Sequence, residues 1–304
     1  MPATKPPGRL EQPSQIMLNL LIFVMRLLAR MPLPWLRAVG HGLGWSLWHL
    51  ARQRRGIVAV NLQKCMPELS EPEREALAYR HFVVFGQSVL DRAWLWHAPE
   101  ALVRQRLRWV GDLQALKQPG PLVMFAPHFV GLDAGGLAVS LAVPGPIAFI
   151  FVGQSNPAVE ALVRQGRERS GNVRPYFRHE GMRQILVRLK KGEPLHLSPD
   201  MDFGRSESIF VPFMGVEQAA TVPSLSRLSK VVGARVVPVV TRMTPLGYDI
   251  EVHAPLTDFP SADLVQDTAR MNGLLADWVR AMPEQYYWVH KRFKTRPEGE
   301  PGFY

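Results

Sequence analysis

Apolar side chains are concentrated in the segment 15–53, which is interrupted by Pro32 and Pro34. Because proline ends or kinks a helix, this pattern predicts one or two apolar helices with a break near the two prolines. The preceding residues, 1–14, are polar and rich in proline, so we expect a disordered tail there.

A second group of helices is expected after this segment. The spacing of apolar positions predicts a helix over about 54–64. Ser70 followed by Glu73 is a capping-box pattern, in which the serine caps a helix N-terminus and the glutamate reaches back to the serine backbone. The helix that starts there is expected to run to about residue 96.

From about residue 107 the pattern changes to short apolar runs that alternate with amphipathic segments. Strands are expected at 121–127, 147–152, 195–198, 234–241 and 248–253. Helices are expected at 132–143, 157–169, 180–191, 224–232 and 263–282. Alternation of this kind predicts an α/β fold with a mixed, mostly parallel sheet covered by helices. We assign 54–304 to this α/β domain and 15–53 to N-terminal, membrane-anchoring helices.

The membrane prediction depends on a short apolar run. Met17 to Met25 is well below the roughly 20 apolar residues that span a bilayer, and no small-residue cleavage site of a signal peptide follows it. Arg26, Arg30 and Arg37 come next, and tryptophans cluster nearby. We therefore expect helices that lie in the membrane interface with arginines near phosphate headgroups. An amphipathic helix packed on the core is the alternative.

The composition narrows the possible functions. The chain has 304 residues, of which 47% are hydrophobic, and a formal net charge of +10. Cys65 is the only cysteine, so neither a disulfide nor a cysteine-based zinc site can form within the chain, which suits a reducing compartment. The positive charge indicates nucleic acid, an anionic membrane or a phosphorylated substrate as partner. No zinc-finger or single-strand-binding signature supports nucleic acid.

A histidine and a carboxylate follow the apolar run at 121–127. His128 ends the run, and Asp133 comes five positions later. A neutral imidazole can accept a proton from an alcohol, and a nearby carboxylate can fix its tautomer and orientation. Ligand sites of α/β folds lie at the carboxyl ends of strands, so we predict a general base, His128, oriented by Asp133 across a turn at Gly131. A buried histidine bonded to a neighbour is the alternative.

Three arginines form a basic cluster late in the helix predicted at 157–169: Arg164, Arg167 and Arg169. Such a cluster can bind a phosphate or stabilise the oxyanion of an acyl-transfer intermediate. A solvated basic face of a helix is the alternative interpretation.

Two aspartates, Asp200 and Asp202, follow the strand predicted at 195–198. Two carboxylates on one turn can share a divalent metal ion, whereas an ordinary turn stabilised by aspartate side chains needs no ligand. Two further segments also allow two interpretations. The apolar stretch 210–215 can line a groove for an alkyl chain or form core, and the aromatic and basic stretch 283–297 can contact headgroups or form a solvated tail.

Together these segments resemble the late acyltransferases of lipid A biosynthesis, the lauroyl and myristoyl acyltransferases. The resemblance covers nearly the whole chain and rests on motifs in a fixed order: Ala126-Pro127-His128 with Asp133, Gly166-Arg167-Glu168-Arg169, Leu189-Lys190-Lys191-Gly192-Glu193, Pro199-Asp200-Met201-Asp202-Phe203-Gly204, Phe210-Val211-Pro212-Phe213, Ala219-Ala220-Thr221, Pro283-Glu284-Gln285-Tyr286 and Arg292-Phe293-Lys294-Thr295-Arg296-Pro297.

The resemblance implies an acyltransferase with a lysophospholipid acyltransferase-like fold. It implies a fatty acyl group taken from acyl carrier protein and placed on a 3-hydroxyacyl chain of an anionic, Kdo-bearing lipid A precursor. It also implies no covalent acyl-enzyme, no cofactor beyond the acyl donor, no metal, no nucleic-acid partner, and a place at the cytoplasmic face of the inner membrane of a Gram-negative bacterium.

The family's functional residues fall on four positions of this chain. Its histidine and acid fall on His128 and Asp133, its arginine on Arg167, and its later aspartate on Asp200. Arg164 and Arg169 are neighbouring candidates for substrate or oxyanion binding. Many relatives carry glutamate where this chain has the shorter aspartate at position 133.

Three other functions are compatible with parts of the sequence. They are a glycerolipid acyltransferase, a metal-dependent glycosyl- or phosphotransferase that uses Asp200 and Asp202, and a non-catalytic basic protein that binds membranes or nucleic acid. The last of these leaves His128 and Asp133 without a role.

Overall fold

Five helices precede the sheet in the computed structural model, which describes residues 12–177 and 181–304. They are α1 (Gln12–Leu28), α2 (Leu33–Leu50), α3 (Arg52–Cys65), α4 (Glu71–His97) and α5 (Glu100–Arg106). The helices expected at 15–53, 54–64 and 70–96 are confirmed. The break between the first two falls at the predicted prolines, because Pro34 lies in the first turn of α2, where a missing N–H is tolerated.

Part of the predicted N-terminal tail lies outside the described residues. This holds for 1–11, whereas residues 12–14 belong to α1. Within the described ranges, no helix is both long and apolar enough to cross a membrane. The membrane association of 15–53 therefore stays a prediction.

A buried ion pair joins α2 and α4 to the sheet. The Arg37 guanidinium donates to the Asp91 carboxylate at 2.9 Å and to the backbone carbonyls of Thr244 and Gly247. The Tyr248 hydroxyl donates to the same carboxylate at 2.8 Å. The prediction that Arg37 contacts lipid headgroups is therefore wrong, because its side chain is buried and forms an ion pair inside the protein.

The same two helices approach each other closely where three glycines meet. A Cβ on Gly44 of α2 would lie 2.4 Å from the carbonyl oxygen of Phe82, and one on Gly86 of α4 would lie 2.5 Å from that of Gly40. Only glycine allows this approach of backbones. A Cβ on Gly42, also in α2, would meet no atom of the described residues within 4 Å.

We predict that Gly44→Ala lowers the free energy of unfolding by roughly 1–3 kcal/mol, because the helices must separate to accept the methyl group. The matched change Gly42→Ala is expected to be neutral or to stabilise by up to about 1 kcal/mol, since alanine is the better helix former. Urea unfolding of both variants is the measurement. Equal destabilisation by the two changes would contradict the close-contact interpretation.

A seven-stranded sheet forms the centre of the α/β region. Its strand order is β1 (Leu107–Gly111), β9 (Gly247–Val252), β8 (Arg235–Thr244), β2 (Leu122–Phe125), β5 (Leu195–Leu197), β3 (Ile147–Phe151) and β4 (Val173–Phe177). In the described part of this sheet only β8 and β9 pair in antiparallel fashion, which confirms the predicted mixed, mostly parallel sheet. Because β2, β3, β4 and β5 are parallel, their carboxyl ends share one edge, called here the carboxyl edge.

The strand β4 was not predicted from the sequence, because Pro175 interrupts its apolar pattern. The strand lies at the end of the strand order and, within the described residues, pairs only with β3. An edge position tolerates proline, since the missing N–H faces away from the sheet.

Both faces of the sheet are covered by helices, as predicted. Leu122 and Met124 of β2 belong to one hydrophobic cluster, and Val123 and Phe125 to the other, as expected from alternating side chains of a buried strand. The first cluster includes residues of α6 (Leu132–Ala142) and α7 (Pro157–Arg167). The second includes residues of α8 (Met182–Lys190), α9 (Ser224–Val232), α10 (Leu264–Ala281) and the hairpin of β6 (Ile209–Phe213) and β7 (Val216–Thr221).

Candidate active site

His128 lies at the carboxyl edge, just after β2 ends. Backbone hydrogen bonds hold this segment on both sides. The Ala126 N–H donates to the carbonyl of Leu197 in β5 at 2.9 Å, and the His128 carbonyl accepts from the Tyr287 N–H at 3.0 Å. The side chain is 24% exposed, so the imidazole is fixed in the protein and still open to a substrate.

The carboxylate partner of this imidazole is Asp200. One carboxylate oxygen lies 2.7 Å from His128 Nδ1, and the other accepts the His128 backbone N–H at 3.0 Å. The two residues meet because β2 and β5 are neighbours in the sheet and each is followed by a loop at the carboxyl edge. The ring is therefore oriented by Asp200, whereas the sequence analysis expected Asp133 in this position. With Nδ1 engaged, Nε2 is the nitrogen available to a substrate.

Asp200 is fully buried but surrounded by groups that favour its charge. Burial alone would raise the pKa of this carboxyl, but the charge of His128 and its hydrogen bonds hold the pKa below its ordinary value. Burial and the neighbouring charge of Asp200 raise the pKa of Tyr286 well above that of a free tyrosine. Asp200 thus stays an ionised acceptor beside the histidine.

Asp133 makes a different set of contacts. Its carboxylate accepts from Arg167 Nε at 2.8 Å and from Arg92 Nε at 2.7 Å. Burial alone would raise the pKa of Asp133, but the charges and hydrogen bonds of Arg167 and Arg92 hold it well below its ordinary value. Asp133 therefore holds two arginines in place. It does not orient the His128 ring as predicted, because its carboxylate is bonded to Arg167 and Arg92.

Of the three predicted arginines, only Arg167 lies against Asp133. Arg164 Nε pairs with Glu168 at 2.9 Å on the helix surface. Arg169 donates to the carbonyls of Leu95 and Ala98, so it closes the C-terminal end of α4.

Two residues of this region were not identified from the sequence. Arg92 comes from α4, and no local motif distinguishes it from other arginines. His196 is the middle residue of β5, where it stacks on Phe149 with ring centroids 4.6 Å apart. Burial, with the charges of His128 and Arg167, lowers the pKa of His196 to about 3, so its ring is neutral at physiological pH. Its Nε2 is buried and has no hydrogen-bond partner among the described residues.

Asp202, which the alternative metal interpretation paired with Asp200, makes contacts of its own. Asp202 accepts from the Thr295 backbone N–H at 2.7 Å, from the Thr295 hydroxyl at 2.8 Å and from the Gly204 N–H at 3.0 Å. These bonds are those of a turn that ties down the C-terminal tail. Across the described ranges, no group of three or more histidine, cysteine, aspartate or glutamate side chains is placed to hold a metal ion.

Part of the basic tail, including Arg292, lies in the interior. Arg292 is 2% exposed, lies 5.2 Å from the ring centre of Phe213, and donates to the Ala220 carbonyl and the Thr221 hydroxyl. Its positive charge also favours the ionised form of Asp200. The expected headgroup contact of the tail is thus not made by this arginine. The apolar stretch 210–215 contributes buried core residues such as Phe213.

A shallow, mostly apolar depression lies at the carboxyl edge beside Arg167. Arg164 and Glu160 stand on its wall, and its remaining lining residues are Phe151, Val152, Val163, Pro175 and Phe177. The Arg167 guanidinium lies 4.9 Å from the ring centre of Phe151. The arginine pair at Asp133 is therefore bordered by an apolar surface.

The fold and this site define an α/β protein with a histidine–carboxylate pair at the carboxyl edge of a parallel sheet, an arrangement suited to activating a hydroxyl group. Residues 5–295 match the sequence model of the bacterial lipid A biosynthesis acyltransferases, and the chain belongs to this family. It is an acyltransferase, as the motifs predicted.

Individual relatives agree with this assignment. The chain is 32% identical to a lipid A biosynthesis lauroyltransferase of Escherichia coli K12 over 290 residues, which are 93% of both chains. It is 32% identical to a palmitoleoyltransferase of the same organism over 92% of both chains. It is also 32% identical to a myristoyltransferase, over 85% of this chain and 80% of the relative.

The lowered pKa of Asp200 predicts how Asp200→Asn changes stability with pH. A carboxyl whose pKa is lower in the folded state stabilises the fold above its unfolded pKa of about 3.9, and this stabilisation is lost as the pH falls through the folded value. The variant should be less stable than the parent by roughly 1–3 kcal/mol at pH 7, with the difference shrinking only at pH values below about 4.

Urea unfolding at several pH values, down to the lowest at which both proteins are folded, measures this difference. A difference that already shrinks between pH 7 and pH 5 would indicate a raised pKa and would contradict the assignment.

Proposed function

We propose that this enzyme transfers a fatty acyl group from acyl carrier protein to the hydroxyl of a 3-hydroxyacyl chain on a Kdo-bearing lipid A precursor. The observation that carries the proposal is the His128–Asp200 pair at the carboxyl edge, in a chain of the lipid A acyltransferase family. The donor and the acceptor are taken from the family resemblance. The proposed location is the cytoplasmic face of the inner membrane of a Gram-negative bacterium.

In the proposed mechanism His128 is the general base. Its Nε2 accepts the proton of the lipid hydroxyl while the oxygen attacks the thioester carbonyl, and Asp200 on Nδ1 stabilises the imidazolium that forms. The tetrahedral intermediate then collapses, and the carbon–sulfur bond breaks. The proton on Nε2 passes to the leaving thiolate of the carrier protein, so the products are an ester and a free thiol.

Attack is direct in this scheme, without a covalent acyl-enzyme. Cys65 is a poor nucleophile, because it is 4% exposed in α3 and burial raises the pKa of its thiol well above the ordinary value. The apolar side chains that line the shallow depression beside Arg167 are the proposed contact surface for an alkyl chain. The contacts of the two carboxylates do not favour a metal-dependent transferase, since Asp200 is hydrogen-bonded to His128 and Asp202 to Thr295.

We expect His128→Ala and Asp200→Asn each to reduce acyl transfer by roughly 10²–10⁴-fold, because general-base catalysis and its orientation contribute about this much. The measurement is mass spectrometry of the lipid product, with acyl carrier protein thioester as donor and a Kdo-bearing lipid A precursor as acceptor. The matched control His41→Ala removes an exposed histidine of α2 and should retain activity. Near-normal transfer by folded His128→Ala would sink the proposed mechanism.

We also propose that α1 and α2 lie in the membrane interface. An apolar face of α1 is open to solvent in the described chain, with side chains 42–69% exposed: Ile16, Leu20, Phe23, Val24 and Leu27. Trp35 and Trp45 of α2 are 69% and 54% exposed. Apolar helix faces of this kind bury their side chains at the boundary of headgroups and acyl chains, and interfacial tryptophans favour the same depth.

Phe23→Glu should weaken binding to vesicles of mixed neutral and anionic phospholipids by roughly tenfold or more, since burying a phenylalanine contributes about 1.5–3 kcal/mol. Vesicle sedimentation is the measurement. The control Val265→Glu changes an apolar residue that is 54% exposed in the first turn of α10. Equal binding by Phe23→Glu and the parent protein would refute an interfacial α1.

A further inference from the structure

The cluster of Asp133, Arg92 and Arg167 has a net positive charge. Two guanidinium groups, of Arg92 and Arg167, share one carboxylate, which leaves one positive charge in excess. The Asp133 side chain is 10% exposed, whereas those of Arg92 and Arg167 are 33% and 28% exposed. The carboxylate is thus inside, and the two cations reach the solvent.

Each arginine uses only its Nε atom on the carboxylate. Within the described residues, the terminal amino groups of Arg92 and Arg167 donate no hydrogen bond to the protein. A pair built for stability alone would use two N–H groups of one guanidinium on the carboxylate, as Arg108 does with Nε and Nη2 toward Asp249. The free ends here are two forks of the shape that binds phosphate oxygens.

The orientation of both forks is fixed before any ligand arrives. The Arg92 guanidinium lies 5.7 Å from the ring centre of Trp96, and that of Arg167 lies 4.9 Å from the ring centre of Phe151. Side chains held by aromatic rings and by a shared carboxylate lose little conformational entropy when they bind an anion.

The backbone adds to the positive potential. Asp133 lies in the first turn of α6, and Gly131 at the N-cap supplies no capping side chain. The N-terminus of a helix carries a partial positive charge and favours anions. Arg167 lies against Phe151 at the end of β3, and both β3 and β2 pair with β5, so the arginine pair lies at the same carboxyl edge as His128.

We propose that Arg92 and Arg167, held apart by Asp133, form a clamp that binds a phosphate group of a substrate, and that Arg92 is a substrate-binding residue. The inference rests on the proposed function for the identity of the substrates but not for the chemistry of the clamp. Two substrates carry the required group. The lipid acceptor has phosphate esters on its sugars, and the pantetheine arm of the acyl donor has a phosphodiester.

The first test is independent of activity. Inorganic phosphate binding to the full chain should raise its melting temperature, because a ligand of the native state stabilises it. Arg92→Met should abolish this shift, whereas Arg108→Met, which removes an equally charged arginine from another aspartate pair, should retain it. A shift that is unchanged in Arg92→Met, or absent from the parent protein, would overturn the proposal even if acyl transfer is confirmed.

The second test separates the two sources of phosphate. Steady-state kinetics compare acceptors with and without their phosphates, and donors with and without the phosphodiester, the latter as a pantetheine thioester. Arg92→Met should raise KM roughly 10- to 100-fold for the substrate whose phosphate is bound, with little change once that phosphate is removed. Arg92→Lys, which keeps the charge but not the fork, should recover part of the loss.

If the rise in KM disappears when the acceptor phosphates are removed, the clamp binds the acceptor. If it disappears when the donor phosphodiester is removed, the clamp binds the donor. Either result supports the proposal and identifies the ligand. Loss of kcat that is equal with and without either phosphate would instead assign Arg92 to oxyanion stabilisation or to structure, and would overturn the proposal. Melting temperatures of the variants without phosphate show whether each is folded. The Arg108→Met variant of the full chain is measured as the control in each of these experiments.

Discussion

The site depends on keeping the charge of Asp200 in a fully buried position. A buried carboxylate without partners costs several kcal/mol, so its hydrogen bonds are a condition of the fold as well as of the chemistry. His128 provides two of them, and the positive charge of Arg292 lies close by. These groups come from the loop after β2, the loop after β5 and the C-terminal tail, so the three segments must assemble together.

This requirement helps to explain the burial of Arg292 in the basic tail. Arg292 lies under the hairpin of β6 and β7, bonded to neutral oxygens of Ala220 and Thr221. Burial of a charge is costly, and the opposite charge of Asp200 offsets part of this cost. Asp202 ties the same tail down through Thr295. The tail is therefore one wall of the site, although its sequence has the composition of a surface segment.

Two aspartates at one edge of the sheet have separate roles because their neighbours differ. Asp200 faces a histidine and orients it, while Asp133 faces two arginines and holds them in place. The assignment of roles to carboxylates by their environment is a general feature of sites that move protons. It also separates the two contacts physically, since a change at Asp133 acts on the two arginines and a change at Asp200 acts on the histidine.

Periodicity and capping patterns were sufficient to predict the layers and most elements, because these depend on contacts between residues near in sequence. The loop position of His128 could be predicted from the strand before it. The carboxylate that contacts the ring could not be predicted in this way, because Asp200 is 72 residues away and reaches His128 only through the pairing of β2 with β5. Asp133 follows His128 by five positions, as in the motif of the family that the sequence resembles, and this spacing predicted it as the partner. Arg92, 41 residues before Asp133, has no motif of its own.

The helix α4 links the two halves of the molecule and gives the N-terminal helices a role in the site. Its Asp91 holds α2 through Arg37 and the sheet through Tyr248, and its next residue, Arg92, reaches Asp133. Adjacent residues of a helix project about 100° apart, so one turn of α4 can serve both the α2 contact and the arginine pair at Asp133. The buried Arg37–Asp91 pair and the Arg92–Asp133 pair thus connect α2 to the carboxyl edge through adjacent residues of α4. In the proposed function, this connection joins the helices assigned to the membrane interface to the arginines that lie at the same edge as His128.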